Sequence, residues 1–143
     1  MQSGFGGLLT RSSNCTANMV THMLLFGVHE VEVLEYLDPA GRSPFARWFA
    51  GLNAVAAARV TVAVTRLGHG SFSNVEGVGA GVYECKIDFG PGYRIYFGKD
   101  GEHIVILLGG SAKKRQSAAI ASAQTAWAAY KSVKAGKGGE KWH

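Results

Sequence analysis

Two short stretches with a period of two constrain the fold most strongly. Apolar side chains occupy every second position of residues 83–89, with charged residues between them, and a similar alternation runs through residues 93–97. This pattern predicts strands that bury one face and leave the other polar. The intervening Gly90-Pro91-Gly92 suits a tight loop, because glycine tolerates positive φ and proline presets a corner. The two stretches therefore predict an antiparallel hairpin.

A third strand follows this hairpin. Asp100-Gly101 predicts a second tight turn, and residues 104–108 are apolar without alternation. An apolar strand of this kind is expected at the centre of a sheet, where both of its faces are covered.

The register of the first hairpin decides which side chains share the polar face. With a three-residue loop, Asp88 lies opposite Arg94. Lys86 likewise lies opposite Tyr96, while the alternation turns Tyr93 toward the core. We therefore expect Lys86, Arg94 and Tyr96 on one polar face. Three cations of the next segment reach the end of the last strand: Lys113, Lys114 and Arg115.

The rest of the chain supplies helices and edge strands. Ser43-Pro44 and Asn53 are residues that begin helices, and the first helix carries an aromatic stripe at helical spacing. The predicted elements are a strand in residues 28–37, a helix from residue 44, a helix at 54–67, a short strand at 75–78 and a final helix at 115–135. The predicted fold class is α+β: a small antiparallel sheet, mixed at its edge, of about four or five strands. Two N-terminal helices pack on one face, and a C-terminal helix completes the fold.

Composition favours a basic globular protein. With 143 residues, 47% of them hydrophobic and 17% charged, the chain can bury one core. Its net charge of +5 favours an acidic partner such as nucleic acid or an acidic protein. No apolar run approaches the roughly 18 to 20 residues that cross a bilayer. Cys15 and Cys85 make no disulfide framework. We therefore expect a cytoplasmic protein without a membrane partner.

The N-terminal segment differs from the rest. Residues 1–22 are rich in Gly, Ser, Thr and Asn, and they lack both periodicity and the pattern of a secretory signal. We interpret them as a disordered extension or a start codon placed too early, with translation beginning at Met19 or Met23. Residues 23–135 then form a single domain, and residues 136–143 form a flexible tail.

Motifs for metals and phosphate loops are missing from the sequence. The five histidines are scattered, no Cys/His pair has ligand spacing, and the glycine-rich residues 71–81 lack the ending of a phosphate loop. We therefore expect no metal and no cofactor. Glu84 and Asp88 are interpreted as ion-pair partners of Lys86 and Arg94 rather than as catalytic acids.

Three segments of the sequence resemble a known family. They are G-P-G-Y-R-I-Y-F at residues 90–97, I-V-I-L-L-G-G at residues 104–110, and K-K-R-Q at residues 113–116. The chain resembles the RelE/ParE toxins of type II toxin–antitoxin systems over residues 28–134, and it is most similar to the HigB-like branch called addiction module killer proteins. The resemblance implies a toxin that cleaves mRNA in the ribosomal A site without a metal. It also implies neutralisation by a co-encoded antitoxin, often a helix-turn-helix protein encoded next door.

The resemblance also implies roles for the cations. Cleavage by a ribose 2′-hydroxyl needs a base, positive charge for the phosphorane and an acid for the 5′ oxygen. Arg94 matches the strand arginine of the family, and its planar guanidinium can bind two phosphate oxygens. Lys86 matches a strand lysine and is the candidate base, whereas Lys113 and Lys114 supply charge or an acid. The candidates for substrate binding are residues with charge or a stacking surface: Arg115, Tyr96, Tyr93, Arg59 and Arg66.

Two departures leave other interpretations open. Glu84 stands where a second strand lysine occurs in RelE, and the C-terminal tyrosine of some members is replaced near Ile120. Arg94 can instead form a structural ion pair with Asp88, and Lys86 can be an ordinary solvated lysine. The alternative functions are a ParE-like inhibitor of DNA gyrase, which is not an enzyme, and an inactive member that only binds antitoxin.

Overall fold

The computed structural model describes the backbone of residues 30–141 and the side chains of residues 30–136. The expected N-terminal extension, residues 1–22, lies outside the described residues. Strands and helices follow in this order: β1 (Glu32–Glu35), α1 (Pro44–Ala50), α2 (Ala54–Gly68), β2 (Val75–Gly77), β3 (Val82–Ile87), β4 (Tyr93–Lys99), β5 (Ile104–Ala112), a 3-10 turn (Lys113–Arg115) and α3 (Gln116–Lys141).

The strands form one five-stranded sheet in the order β1-β5-β4-β3-β2. β1 runs parallel to β5, and the other neighbours are antiparallel. The first strand of the chain therefore lies at one edge, and β2 lies at the other. This arrangement confirms the predicted α+β class with a mixed edge.

The first two helices begin at the predicted residues. The Ser43 hydroxyl accepts the backbone N–H of Ala46 at 3.0 Å, and Pro44 occupies the first turn. The Asn53 side chain accepts the N–H of Ala56 at 2.9 Å. Both caps satisfy N–H groups that have no partner inside the helix. At the other end of the chain, α3 continues to Lys141, past the predicted end at residue 135 and into the segment expected as a tail.

α1 and α2 cover one face of the sheet. Phe45 from α1 and Leu67 from α2 are fully buried against strand residues such as Ile95 and Phe97. Trp48 packs over Gly110, where a Cβ atom would lie 2.2 Å from the indole ring. The buried side chains on this face form the larger of the two hydrophobic clusters. This cluster contains odd-numbered residues of β3 and β4, as the alternation predicts.

α3 covers the opposite face. Ala123 and Trp127 are buried against Val82, Tyr96 and Ile106. A Cβ atom on Gly98 would lie 2.5 Å from the Trp127 ring, so the absence of a side chain there lets the helix approach the sheet. The face expected to be polar and open is therefore enclosed under a second layer.

The hairpin registers differ from the predicted ones. Lys86 pairs with Arg94, and Glu84 pairs with Tyr96, because the first loop spans residues 88–92 rather than three residues. Gly90 and Gly92 both have positive φ, which supports this longer loop. The second loop is also longer. The pairing register of β4 with β5 shifts between Tyr96 and Phe97. The predicted pairing of Arg94 with Asp88 is therefore wrong.

Candidate functional site

The three adjacent strands β3, β4 and β5 bring one row of polar side chains together at an end of the sheet. Lys86 pairs with Arg94, and Arg94 pairs with Ser111. Opposed residues of antiparallel strands share a face, so all three belong to the face under α3. The 3-10 turn lies beside this row, because the N–H of Lys113 donates to the carbonyl of Gly92 at 2.9 Å. The structure thus gathers several of the predicted cations at one strand end.

Arg94 is buried within this row. Its side chain is only 6% exposed, and its Nε atom lies 3.7 Å from a carboxylate oxygen of Glu84, whose side chain is 1% exposed. The same guanidinium donates to the carbonyl of Tyr93 at 3.1 Å. The expectation of an open Arg94 is wrong, because the N-terminal part of α3 covers it. The interpretation of Glu84 as an ion-pair partner of a strand cation is confirmed.

Glu84 links the row to the helix above. One of its carboxylate oxygens accepts a hydrogen bond from the amide nitrogen of Gln116 at 2.7 Å. The other faces Arg94 Nε, and both of these buried atoms lack a hydrogen bond among the described residues. The sequence does not predict Gln116 as a partner of Glu84. Its only signal is a polar side chain at the first residue of a helix that follows the strand end.

The two tyrosines of β4 are enclosed as well. Tyr96 is fully buried, and its hydroxyl shares a 3.1 Å hydrogen bond with the Ser111 hydroxyl. Burial raises the pKa of Tyr96, and the Ser111 hydrogen bond opposes that rise. Tyr93 packs in the core with its ring 6.4 Å from that of Trp48, which confirms that the alternation turns it inward. Both rings are therefore covered and cannot stack on a base in this state.

Lys86 is the most accessible member of the row. Its side chain is 40% exposed, and its ammonium group forms an ion pair with Glu76 on the edge strand. The hydrogen bond from Lys86 lowers the pKa of Glu76. Because Lys86 is already paired with a carboxylate, it is better suited to stabilise negative charge than to abstract a proton.

The cations of the 3-10 turn are all exposed. Lys113, Lys114 and Arg115 follow β5 directly and precede the first residue of α3. Lys114 and Arg115 border an open groove of about 520 Å³, together with Ser111 and small residues of α3. Three accessible cations, two of them beside a groove, can bind a polyanion.

Two predicted binding residues lie elsewhere. Arg59 and Arg66 on α2 border a cleft of about 440 Å³ between α2 and β3, and Lys86 reaches its edge. The Arg59 guanidinium lies 4.5 Å from the centre of the Phe89 ring. The predicted site residues therefore divide into an exposed cluster, a buried row and a separate cleft.

The described residues give little support to a metal site, to a nucleophilic cysteine or to a membrane-spanning helix. Among residues 30–136, no group of three or more His, Cys, Asp or Glu side chains could hold a metal ion. Burial raises the pKa of the Cys85 thiol to about 11, so this cysteine is a poor nucleophile near neutral pH. In the described helices, no segment has the length and hydropathy needed to span a membrane.

The fold and the basic strand end define a small α+β protein with a cationic surface at one end of its sheet. An uncharacterized protein of Haemophilus influenzae (strain Rd) is 36% identical over 81 residues, which cover 56% of this chain and 82% of the relative. The chain belongs to the same family as that protein. No family model matches the chain, and no solved structure matches it.

Proposed function

We propose that this chain is the toxin of a type II toxin–antitoxin system, of the RelE/ParE superfamily and its HigB-like branch, and that it cleaves mRNA on the ribosome without a metal. The observation that supports this most is the set of cations at one end of the sheet. Lys86 and Arg94 are cross-strand neighbours, and the exposed turn Lys113–Arg115 begins next to them. A toxin that acts on translation works in the cytoplasm, where the mRNA and the ribosome are its partners.

The exposed cations are suited to hold the RNA backbone. Each phosphate that a lysine or arginine neutralises releases counterions, which supplies sequence-independent affinity. Lys113, Lys114 and Arg115 present three such charges, and the last two of them border the open groove. In the cleavage step a general base takes the proton of the 2′-hydroxyl, and the 2′-oxygen bonds to phosphorus. The bond from phosphorus to the 5′ oxygen breaks, and that oxygen takes a proton from a general acid. Nearby cations stabilise the additional negative charge of the phosphorane.

Arg94 can take part only after a local rearrangement. Its guanidinium lies under the start of α3 and faces Glu84, which is itself bound by Gln116. For Arg94 to reach a phosphate, the first turn of α3 has to move away and the hydrogen bond between Gln116 and Glu84 has to break. Until then the accessible charge belongs to Lys86, Lys113, Lys114 and Arg115.

The enclosed state of Arg94 and Tyr96 favours two other candidate functions. Neither side chain is open to a substrate in this state, because both lie under α3. A ParE-like inhibitor of DNA gyrase needs a binding surface and no reacting group, and an inactive member would need only to bind antitoxin. In all three cases the expected partner is a co-encoded antitoxin, such as a helix-turn-helix protein.

The test is induction of the full chain in cells, with growth and primer extension on mRNA as readouts. Lys114→Ala is the informative variant, because Lys114 is exposed and its removal leaves the core intact. Lys131→Ala removes an exposed lysine farther along α3 and is the matched control. We expect growth arrest with new mRNA 5′ ends for the original chain and for Lys131→Ala, and loss of both for Lys114→Ala.

Two other outcomes would change the assignment. Growth arrest without new 5′ ends, accompanied by inhibition of DNA supercoiling, would favour the gyrase inhibitor. No growth arrest from a folded protein would favour an inactive member. Arg94→Ala is less suitable as the main test, because it leaves Glu84 buried without its cation and impairs folding as well as activity.

A further inference from the structure

The outer face of α2 carries an exposed stripe that alternates apolar and cationic side chains. Val55, Arg59, Val62 and Arg66 have the spacing i, i+4, i+7, i+11, which places them along one line of a helix. Val55 is 57% exposed and Val62 is 49% exposed, so two of the large apolar side chains of this helix lie in solvent. The buried residues of α2 lie on another side, so the stripe plays no part in the core.

The stripe continues into the cleft between α2 and β3. Arg59, Val62 and Arg66 form one wall of this cleft, whose volume is about 440 Å³. The remaining lining includes apolar side chains of the core and polar groups near the edge strand: Ala63, Val75, Ile87, Ser73 and Asn74. The lining is thus a mixture of apolar and polar side chains, and a cleft of this size can accept a large side chain of a partner.

The charges of this surface favour an acidic occupant. Arg59, Arg66 and Lys86 contribute three cations to the cleft, and Asp88 contributes one carboxylate. Lys86 is matched with Glu76, whereas Arg66 forms no ion pair with a described residue. The surface therefore has uncompensated positive charge where the two arginines stand.

The apolar part of the surface favours a protein over RNA. Single-stranded RNA is held by cations together with aromatic rings on which bases stack. In this cleft a face of Phe89 is already covered by the Arg59 guanidinium, and the exposed apolar side chains of the stripe are the valines Val55 and Val62. Valines interleaved with arginines complement a helix that carries apolar and acidic residues on one face.

We infer that the stripe Val55, Arg59, Val62 and Arg66, with the cleft beside it, binds an amphipathic acidic segment of a protein partner. Carboxylates of that segment contact Arg59 and Arg66, and an apolar side chain enters the cleft past Val62. The identification of this partner as the co-encoded antitoxin rests on the proposed function. The α2 surface is on the opposite face of the sheet from α3. Apart from Lys86, which reaches the edge of the cleft, it is separate from the surface proposed to bind RNA.

The first experiment is a binding titration of the full chain with the co-encoded antitoxin by calorimetry. Val62→Glu places a carboxylate in the stripe, and Thr61→Glu places the same group at a neighbouring exposed position of α2 outside it. We expect Val62→Glu to weaken binding about tenfold or more and Thr61→Glu to change it less than about twofold. Circular dichroism melts of both variants verify that the fold is retained.

The outcomes separate this inference from the proposed function. If the original chain does not bind the antitoxin at all, the proposed function fails and the inference fails with it. If the original chain binds and Val62→Glu binds equally well, only the inference is overturned. A parallel titration with a single-stranded RNA oligonucleotide tests whether the α2 surface binds RNA instead. Should Arg66→Ala weaken RNA binding while antitoxin binding stays unchanged, the surface binds nucleic acid and the inference is wrong.

Discussion

The Arg94 guanidinium lies 3.7 Å from the Glu84 carboxylate, and both side chains are almost completely enclosed between β3, β4 and α3. Gln116 holds the far side of that carboxylate from the first residue of α3. The pair therefore connects β3 and β4 to the helix that covers them. Charges removed from water in this way are costly to bury, and leaving one of them without its partner is more costly still.

Replacing only one member of this pair is expected to destabilise the protein strongly. Arg94→Ala leaves the Glu84 carboxylate buried without a cation, and we expect the free energy of unfolding to fall by about 3 to 5 kcal/mol. The double replacement Glu84→Leu with Arg94→Met removes both charges and is expected to cost less than Arg94→Ala alone. Urea denaturation of the two variants measures this difference. A double variant as unstable as the sum of the single ones would contradict the account.

The close approach of α3 to the sheet depends on a glycine. A Cβ atom on Gly98 would lie 2.5 Å from the Trp127 ring, so Gly98→Ala forces the indole and its helix outward. Overpacking of this kind costs about 1 to 3 kcal/mol. Gly77→Ala in the edge strand β2 is the control, because no atom lies within 4 Å of its added methyl group. Thermal denaturation should show a lower Tm for Gly98→Ala and little change for Gly77→Ala.

The local patterns of the sequence were sufficient to predict the elements and the core face. Ser43 and Asn53 begin the helices as predicted, because capping depends only on neighbouring backbone groups. Cys85 and Tyr93 are buried on the face of α1 and α2, as the alternation of the strands predicts. Alternation reports which residues share a face, and the β3–β4 hairpin preserves that relation despite its longer loop.

The exposure of the site could not be predicted from the same patterns. The even-numbered positions of β3 and β4 include Glu84 and Arg94, which read as a solvated face, yet α3 packs over them. Whether a helix covers a polar row depends on long-range packing, here on Trp127 over Gly98, rather than on the strand itself. The separation of Arg59 from the strand cations has the same origin, since α2 packs on the other face.

A polar cluster fixes the middle of α3 to the turn between β4 and β5, and its strength should depend on pH. The Tyr130 hydroxyl donates to Asp100 at 2.7 Å, and the Lys134 ammonium donates to the same oxygen. The Lys134 hydrogen bond, followed by that of Tyr130, lowers the pKa of Asp100 below its usual value of 3.8. The ionised carboxylate is therefore favoured in the folded state, so its contribution is complete above pH 3.8 and is lost as the pH falls through the lowered value.

Asp100→Asn should accordingly destabilise the protein at neutral pH by about 1 kcal/mol. The difference from the original chain should shrink as the pH falls below the lowered pKa of Asp100, because the carboxylate is then protonated in both states of the original chain. Urea denaturation at neutral and at acidic pH measures this difference in the free energy of unfolding. Asp88→Asn changes an exposed aspartate that forms no ion pair within the described residues, and it should have little effect at either pH. A penalty for Asp100→Asn that is equal at both pH values would exclude the carboxylate as its cause.

The hydrogen bond between Gln116 and Glu84 is expected to control access to Arg94. Gln116→Ala removes this bond, so the first turn of α3 should open more often and its backbone N–H groups should exchange faster with solvent. Gln124→Ala is the matched control, because Gln124 also anchors α3 to the protein, through a 3.0 Å bond to the carbonyl of Val78, but two turns farther along. We expect hydrogen–deuterium exchange to rise at residues 116–120 in Gln116→Ala alone. On the proposed function, mRNA cleavage per folded molecule should rise as well, since an open first turn exposes Arg94. Faster exchange without any change in cleavage would place the reaction on the exposed cations Lys113, Lys114 and Arg115 and leave Arg94 with a structural role.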